Sequence, residues 1–519
     1  MSITSIQFIV FLAILVVAYF SVPKKYQWVI LLLGSYFFYV AVGGLISLAY
    51  ITATSLTVYL SARKVGTWLA NEKETGVSTE KKRKALVHCT VILNLAGLIG
   101  LKYGVFLLEE VLHITQAFGV SFTVPEQTWI LPLGISFYTL TAIGYLLDVH
   151  HGKDEPEKNF FKVALFISYF PHIVQGPFCR FRELGKQFSE EHAWDYTRVK
   201  HGVERMVWGY FMKLVIADRM AVIVSEVCNN YAEKGYVGFT VMFGVMVYSV
   251  QIYADFFGGM NIIYGVSEIF GISVAENFKQ PFMATSVAEF WRRWHISLGT
   301  WMKTYVFYPI ALSQTFTKLG KRTKERFGRN AGKVLPASIA SFFVFILVGM
   351  WHGASMKYVV YGIWNATMVS TNTLFANGYA KMRKFFHVNE KSFSWKAFQV
   401  IRTYFLTLFG RYFSRGNSLG DAVAMLKATV STFNPWVFFD GSLYNLGLNQ
   451  KNFSLMLFLV VILAIVDILH ERGISIREKL DSSDVVLRWT VYFAVIFAIV
   501  IFGTYGTELQ VRDFIYQGF

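Results

Sequence analysis

Apolar residues fall in runs of about 18 or more, enough to cross a ~30 Å hydrocarbon core as helices. The runs predict spans at 5–22, 27–44, 45–62, 86–108, 129–149 and, near the far end, 487–504. The first run is preceded by no basic residue and followed by no small-residue cleavage site, so it predicts a retained span, not a signal peptide. Polar positions collect between the runs. The loop predicted at 63–84 holds Arg63, Lys64, Lys73, Lys81, Lys82, Arg83 and Lys84, whereas the segment after 108 carries Glu109, Glu110 and Glu126 without Lys or Arg. Basic loops face the cytoplasm, so both the N-terminus and the acidic segment are expected outside, with Lys24, Lys25, Lys153, Lys158 and Lys162 inside. Further internal loops are predicted around Lys318 to Lys333, around Lys381, Arg383, Lys384, Lys391 and Lys396, and at Arg472, Arg477 and Lys479. The total is about 11–13 spans, and the last leaves the C-terminus outside.

Gly, Pro and charge interrupt the pattern over 160–219 and 251–309. Irregular backbone at membrane depth is tolerated only inside protein or around a wet cavity, so these stretches predict broken or re-entrant segments. From about 395 onward the sequence reads as ordinary spans around a long external loop, 416–452. No internal repeat stands out. The expected fold is all-α and polytopic, one membrane domain over 1–519, with a core at about 86–375 and C-terminal helices at about 395–519.

Composition sharpens this. Only 16% of residues are charged, against about a quarter in soluble domains, and 17% are aromatic, which excludes a disordered chain. The net charge is 49 − 33 = +16, but its excess sits in the loops and orients the protein, so nucleic acid need not be invoked. Cys89, Cys179 and Cys228 lack paired spacing and suggest neither a disulfide framework nor a zinc site; no bound metal is expected.

An ionisable side chain in a membrane is expensive and by default a functional candidate. His352, in Gly349-Met350-Trp351-His352-Gly353-Ala354, ends an apolar run, and the glycines allow close approach. His295 lies in Glu289-Phe290-Trp291-Arg292-Arg293-Trp294-His295-Ile296-Ser297-Leu298; helical spacing would align Trp291, Trp294 and Leu298, with Arg292 three before His295. A neutral imidazole can take a hydroxyl proton near neutral pH, although a histidine among aromatics is also a common satisfied core residue. Asp255 has two readings: orienting an imidazole or, favoured on physical grounds, pairing with Arg292 or Arg293. His150 and His151 suggest an interface and His172 a broken helix beside a cavity. No His-x-x-x-His pair, phosphate-binding loop or Gly-x-Ser-x-Gly elbow occurs.

Several pieces, taken in order, resemble the membrane-bound O-acyltransferase family, in the bacterial branch of alginate O-acetyltransferase membrane subunits and teichoic acid D-alanyl transferases. They are Ser35-Tyr36-Phe37-Phe38-Tyr39, Leu131-Pro132-Leu133-Gly134-Ile135-Ser136-Phe137-Tyr138-Thr139, Tyr169-Phe170-Pro171 with Gln175-Gly176-Pro177, and Glu276-Asn277-Phe278. The block 290–298, the block around His352 and the ending Asp513-Phe514-Ile515-Tyr516-Gln517-Gly518-Phe519 complete the series. Two pieces depart from the family pattern. Asp-Phe-Ser-Gly-Tyr is here Asp255-Phe256-Phe257-Gly258-Gly259, and Trp-x-Arg-Asp-Tyr is Trp301-Met302-Lys303-Thr304-Tyr305. The lost hydroxyl and charged groups bear on donor or partner choice.

The resemblance implies helices around a central tunnel and acyl transfer from a cytoplasmic thioester, with no bound cofactor. The donor would be acetyl-CoA or a carrier-protein thioester. His352 matches the family's catalytic histidine and His295 its second signature histidine, with Asp255, Trp351, Asn277 and Arg292 as supporting positions. The implied partners are the bilayer, an extracytoplasmic acyl-transfer protein, a cytoplasmic acyl carrier protein and an exported polysaccharide. Thr407-Leu408-Phe409-Gly410-Arg411-Tyr412-Phe413-Ser414-Arg415, followed by Ser418-Leu419-Gly420-Asp421-Ala422, resembles the alginate-type extension, which favours acetyl over D-alanyl transfer. A transporter would also use broken helices and midplane charge, but no inverted halves are visible.

Overall fold

The computed structural model describes residues 1–126, 131–504 and 514–515. The first two residues of the span expected at 129–149 lie outside these, as do Asp513 and 516–519 of the quoted ending. The described chain is helical, and its one strand-like pairing is an isolated antiparallel bridge between Phe278 and Trp294.

Among the described residues six helices are long and apolar enough to cross a membrane: Lys24–Thr75, Glu80–Gln116, Phe239–Ile269, Gln314–His352, Gln450–Glu471 and Val485–Phe502; Ile6–Ser21 is a shorter apolar one. Two of the six bend at glycine, at Gly44 (φ +73°) and Gly328 (φ +87°), dihedrals that glycine adopts at little cost. The spans expected at 27–44 and 45–62 meet at the Gly44 break, where the apolar pattern places their border. Val485–Phe502 has no buried residue. So apolar an exposed surface requires lipid around it. The chain is a multi-pass membrane protein.

Several expected loops are helical instead. Arg63, Lys64 and Lys73 ride on Gln27–Thr75, and Lys81 to Lys84 begin Glu80–Gln116, which leaves only 76–79 as a turn. Lys and Arg are good helix formers whose long stems carry the charge clear of lipid, so a helix overruns its apolar stretch. An ion pair from Arg83 to Glu72 at 2.9 Å closes this turn. The basic run 318–333 likewise lies on Gln314–His352, on both sides of the bend. The expected loop 416–452 contains the helix Leu419–Val430, capped by Ser418. Within 251–309 the helix Phe239–Ile269 continues unbroken, and the backbone becomes irregular only from about 270.

The chain divides into two compact units. The first comprises Met1–Met206 with Ile262–Ala275. Here the expected broken stretch appears as short helices, Phe160–Ser168 and Phe170–Gln175, followed by a π-turn, Phe181–Gly185. His172 is buried in it, 3.8 Å from the Cys179 sulfur.

The second unit comprises Val207–Asn261 with Glu276–Phe519. Its frame is a pair of helices, Gln314–His352 and Met356–Leu374, joined by 353–355. They meet where glycine replaces a side chain. A Cβ on Gly349 would lie 2.2 Å from the Tyr358 carbonyl oxygen, and one on Gly362 would lie 2.5 Å from that of Phe345. Small residues let helix backbones approach in lipid, where packing replaces the hydrophobic drive. The helix Phe393–Arg415 joins this pair, with Trp364 Nε1 donating to the Leu406 carbonyl at 2.9 Å.

Candidate active site

The site is built on the second unit. His352 is the last residue of Gln314–His352 and 5% exposed, held where it is by the glycine contact one turn earlier. His295 reaches the same place by a different route. The helix Val287–Arg293 starts at Ser286, whose hydroxyl accepts from the Glu289 N–H, and Glu289 in turn accepts from the Thr285 N–H. Arg293 clips this helix to Glu289 and to Glu471 of Gln450–Glu471. The chain then turns at His295, with φ +46° and ψ +53°, before Ile296–Met302 begins. The expected single helical face of Trp291, Trp294 and Leu298 is broken there. Arg292 is exposed on the far side of the break and not one turn below the imidazole.

Left-handed backbone at a non-glycine residue persists only where surroundings enforce it, and it gathers at functional sites. Asn277 does the enforcing. It is fully buried, its carbonyl accepts from the Ile296 N–H at 3.0 Å, and its Oδ1 accepts from the Ser297 N–H at 3.0 Å. The same Oδ1 lies 3.4 Å from His295 Nδ1. A backbone N–H can only donate, so the oxygen end of this amide is fixed and Nδ1 carries the proton. The lone pair, and with it proton-accepting capacity, is then on Nε2. Replacing Asn277 by Ala leaves the Ser297 N–H without this acceptor and frees the tautomer. The expected cost is about 1–3 kcal/mol of stability together with slower acyl transfer, checked by thermal inactivation and labelled-acetyl transfer in one preparation.

Aromatic rings join the two histidines. Trp351 lies with its ring centroid 5.7 Å from His295 and 5.1 Å from His352. Phe256 meets His295 edge-on at 4.9 Å, and Tyr361 meets His352 at 6.1 Å. Trp291 donates to Asn365 Oδ1 at 3.1 Å, tying the His295 block to Met356–Leu374. The structure thus brings together His295, His352, Trp351 and Asn277 of the expected site among aromatic rings.

Asp255 is corrected. It pairs with neither Arg292 nor Arg293 but with Lys213, at 2.7 Å, and Lys213 also reaches Asp218 at 2.9 Å. Lys213 sits in a π-turn, Phe211–Ala217, and is 1% exposed. The outer oxygen of Asp255 accepts from the Ile515 N–H at 2.9 Å, and the Phe514 ring lies over the Lys213 ammonium at 4.7 Å. The ring of the adjacent Phe256, and not Asp255, is what meets His295. Sequence reasoning missed Lys213; its signal is a lone lysine inside Tyr210-Phe211-Met212-Lys213-Leu214-Val215-Ile216.

Fold and site define a class first: a helical multi-pass membrane protein with paired histidines buried beside lipid-facing helices. The model of the membrane-bound O-acyltransferase family matches residues 157–323, a range that holds His295 but ends before His352. The chain is 30% identical over 428 residues, covering 82% of itself and 74% of the relative, to the "Probable alginate O-acetylase AlgI" of Pseudomonas syringae pv. tomato. It is 28% identical to the peptidoglycan O-acetyltransferase of Helicobacter pylori, over 58% of this chain and 57% of that one. To the teichoic acid D-alanyltransferase of Bacillus subtilis it is 29% identical, over 48% of this chain and 61% of the relative. The chain belongs to the membrane-bound O-acyltransferase family and is an O-acyltransferase.

Proposed function

We propose that this protein O-acetylates an exported cell-surface polysaccharide, taking the acetyl group from a cytoplasmic thioester, acetyl-CoA or an acyl carrier protein. The observation that carries the reading is the meeting of the two histidine blocks at Trp351, in a chain that matches alginate O-acetylases over most of its length. His352 acts as general base on the acceptor hydroxyl. His295, held by Asn277, orients the acceptor. A positioned base supplies about 10²–10⁴-fold. The aromatic shell excludes water that would otherwise hydrolyse the thioester. The basic stretches face the cytoplasm and both termini lie outside, as positive loops dictate. An extracytoplasmic partner then passes the acetyl group to the glycan.

The test supplies membranes containing the protein with labelled acetyl-CoA, and in parallel with a D-alanyl carrier-protein thioester. Label moving from acetyl-CoA to polysaccharide is the expected result. Label moving only from the D-alanyl carrier would replace the acetyl reading with teichoic acid D-alanylation, and transfer from neither would overturn both.

A further inference from the structure

Arg411 lies in the helix Phe393–Arg415 and is 2% exposed. Its guanidinium stacks over Trp294 at 4.8 Å and over Phe290 at 6.0 Å. Among the described residues no carboxylate pairs with it and no acceptor takes a hydrogen bond from its side chain, whereas the neighbouring Arg415 donates to Asn229. A guanidinium carries five N–H donors in a rigid fork and keeps its charge. Ring faces attract that charge, but they take up none of those hydrogen bonds in the ring plane. A buried cation left so incomplete is costly to fold around unless something else completes it.

Its position says what. Trp294 immediately precedes His295, and Gly410 packs on Tyr361, the ring that meets His352. Arg411 is thus stacked on the residue that precedes His295, and it follows in its helix the glycine that touches the ring meeting His352, all within the second unit. A donor thioester reacting at those histidines brings its carbonyl oxygen to this neighbourhood, while its nearest phosphate trails behind by the whole pantetheine arm.

We infer that Arg411 is a catalytic residue that donates hydrogen bonds to the acyl carbonyl oxygen, and that its charge selects acetyl over cationic aminoacyl groups. The inference rests on the acyl-transfer reading above. As the acceptor oxygen bonds to the carbonyl carbon, its proton passes to the imidazole of His352 and the carbonyl π pair moves onto oxygen, where the guanidinium meets the developing negative charge. The pair then re-forms the carbonyl, the C–S bond breaks, and the thiolate leaves with the proton held on the imidazole. A D-alanyl group would bring its α-ammonium toward the same guanidinium and be repelled.

The experiment compares wild type, Arg411→Met and Arg411→Lys as purified full-length proteins, checked for monodispersity, with acetyl- and D-alanyl-pantetheine thioesters. Loss of one donor to an oxyanion typically costs about 10²–10³ in kcat. Arg411→Met is therefore expected to lose that much acetyl transfer, with a reduced preference for acetyl over D-alanyl, and Arg411→Lys to recover part of both. An active wild type matched in rate and preference by Arg411→Met overturns this inference and leaves the acyl-transfer reading standing. A wild type that transfers neither group takes both down. Should Arg411→Met fail the monodispersity check, Arg411→Lys decides, since it keeps the charge but loses the planar fork of donors: a partial loss of acetyl transfer supports the inference, and full wild-type kcat with unchanged preference overturns it.

Discussion

His352→Ala is expected to lower acyl transfer by about 10²–10⁴-fold, or roughly 3–5 kcal/mol of barrier, with the protein still reaching the membrane. On the proposed mechanism the substitution removes the general base. His352 ends its helix, and Gly349 packed against Tyr358 and Gly362 sets the backbone frame there. The donor KM should change little, because the proton moves only as the new bond forms. The readout is labelled acetyl on polysaccharide per unit of membrane-inserted protein. Wild-type transfer by His352→Ala would remove this residue from the mechanism.

The second large effect is on stability. Lys213→Met is expected to destabilise the second unit by about 3–5 kcal/mol, since breaking a buried ion pair strands its partner. Two carboxylates lose the shared ammonium here, Asp255 and Asp218, and face each other without it. Met fills most of the lysine's volume, so the loss is electrostatic and not a cavity. Combining Lys213→Met with Asp255→Asn and Asp218→Asn should restore much of it, because a fully neutral replacement of a buried network is often tolerated. Thermal inactivation in detergent measures both, and equal midpoints for wild type and Lys213→Met would show that the network contributes nothing.

Much of the fold was legible because lipid imposes a strong pattern. Apolar runs located the helices, and the glycine pair at 43–44 fell on the border between two expected spans. Both glycine breaks, Gly44 and Gly328, fall where that pattern is interrupted; it could not show how short they are, since a one-residue break and a loop leave the same gap in hydropathy. At the site, His295, His352, Trp351 and Asn277 were legible as short blocks of sequence. The turn at His295 was not, because its left-handed backbone is imposed by Asn277, 18 positions earlier. Lys213 was illegible as the partner of Asp255 for the same reason: 42 residues separate them, and no periodicity links them. Arginines on the nearer block looked like better partners, but Arg293 is taken by Glu289 and Glu471 and Arg292 faces outward.

The contact between Asp255 and Ile515 also fixes when this enzyme can be finished. The two residues are 260 positions apart. At about 5–20 residues per second, the ribosome needs roughly 13–50 s to reach the second after making the first. Through that interval the Lys213 ammonium lies without its Phe514 cover and Asp255 without its last hydrogen bond. Completion of the second unit therefore waits until the chain beyond the helix Val485–Phe502 has been made.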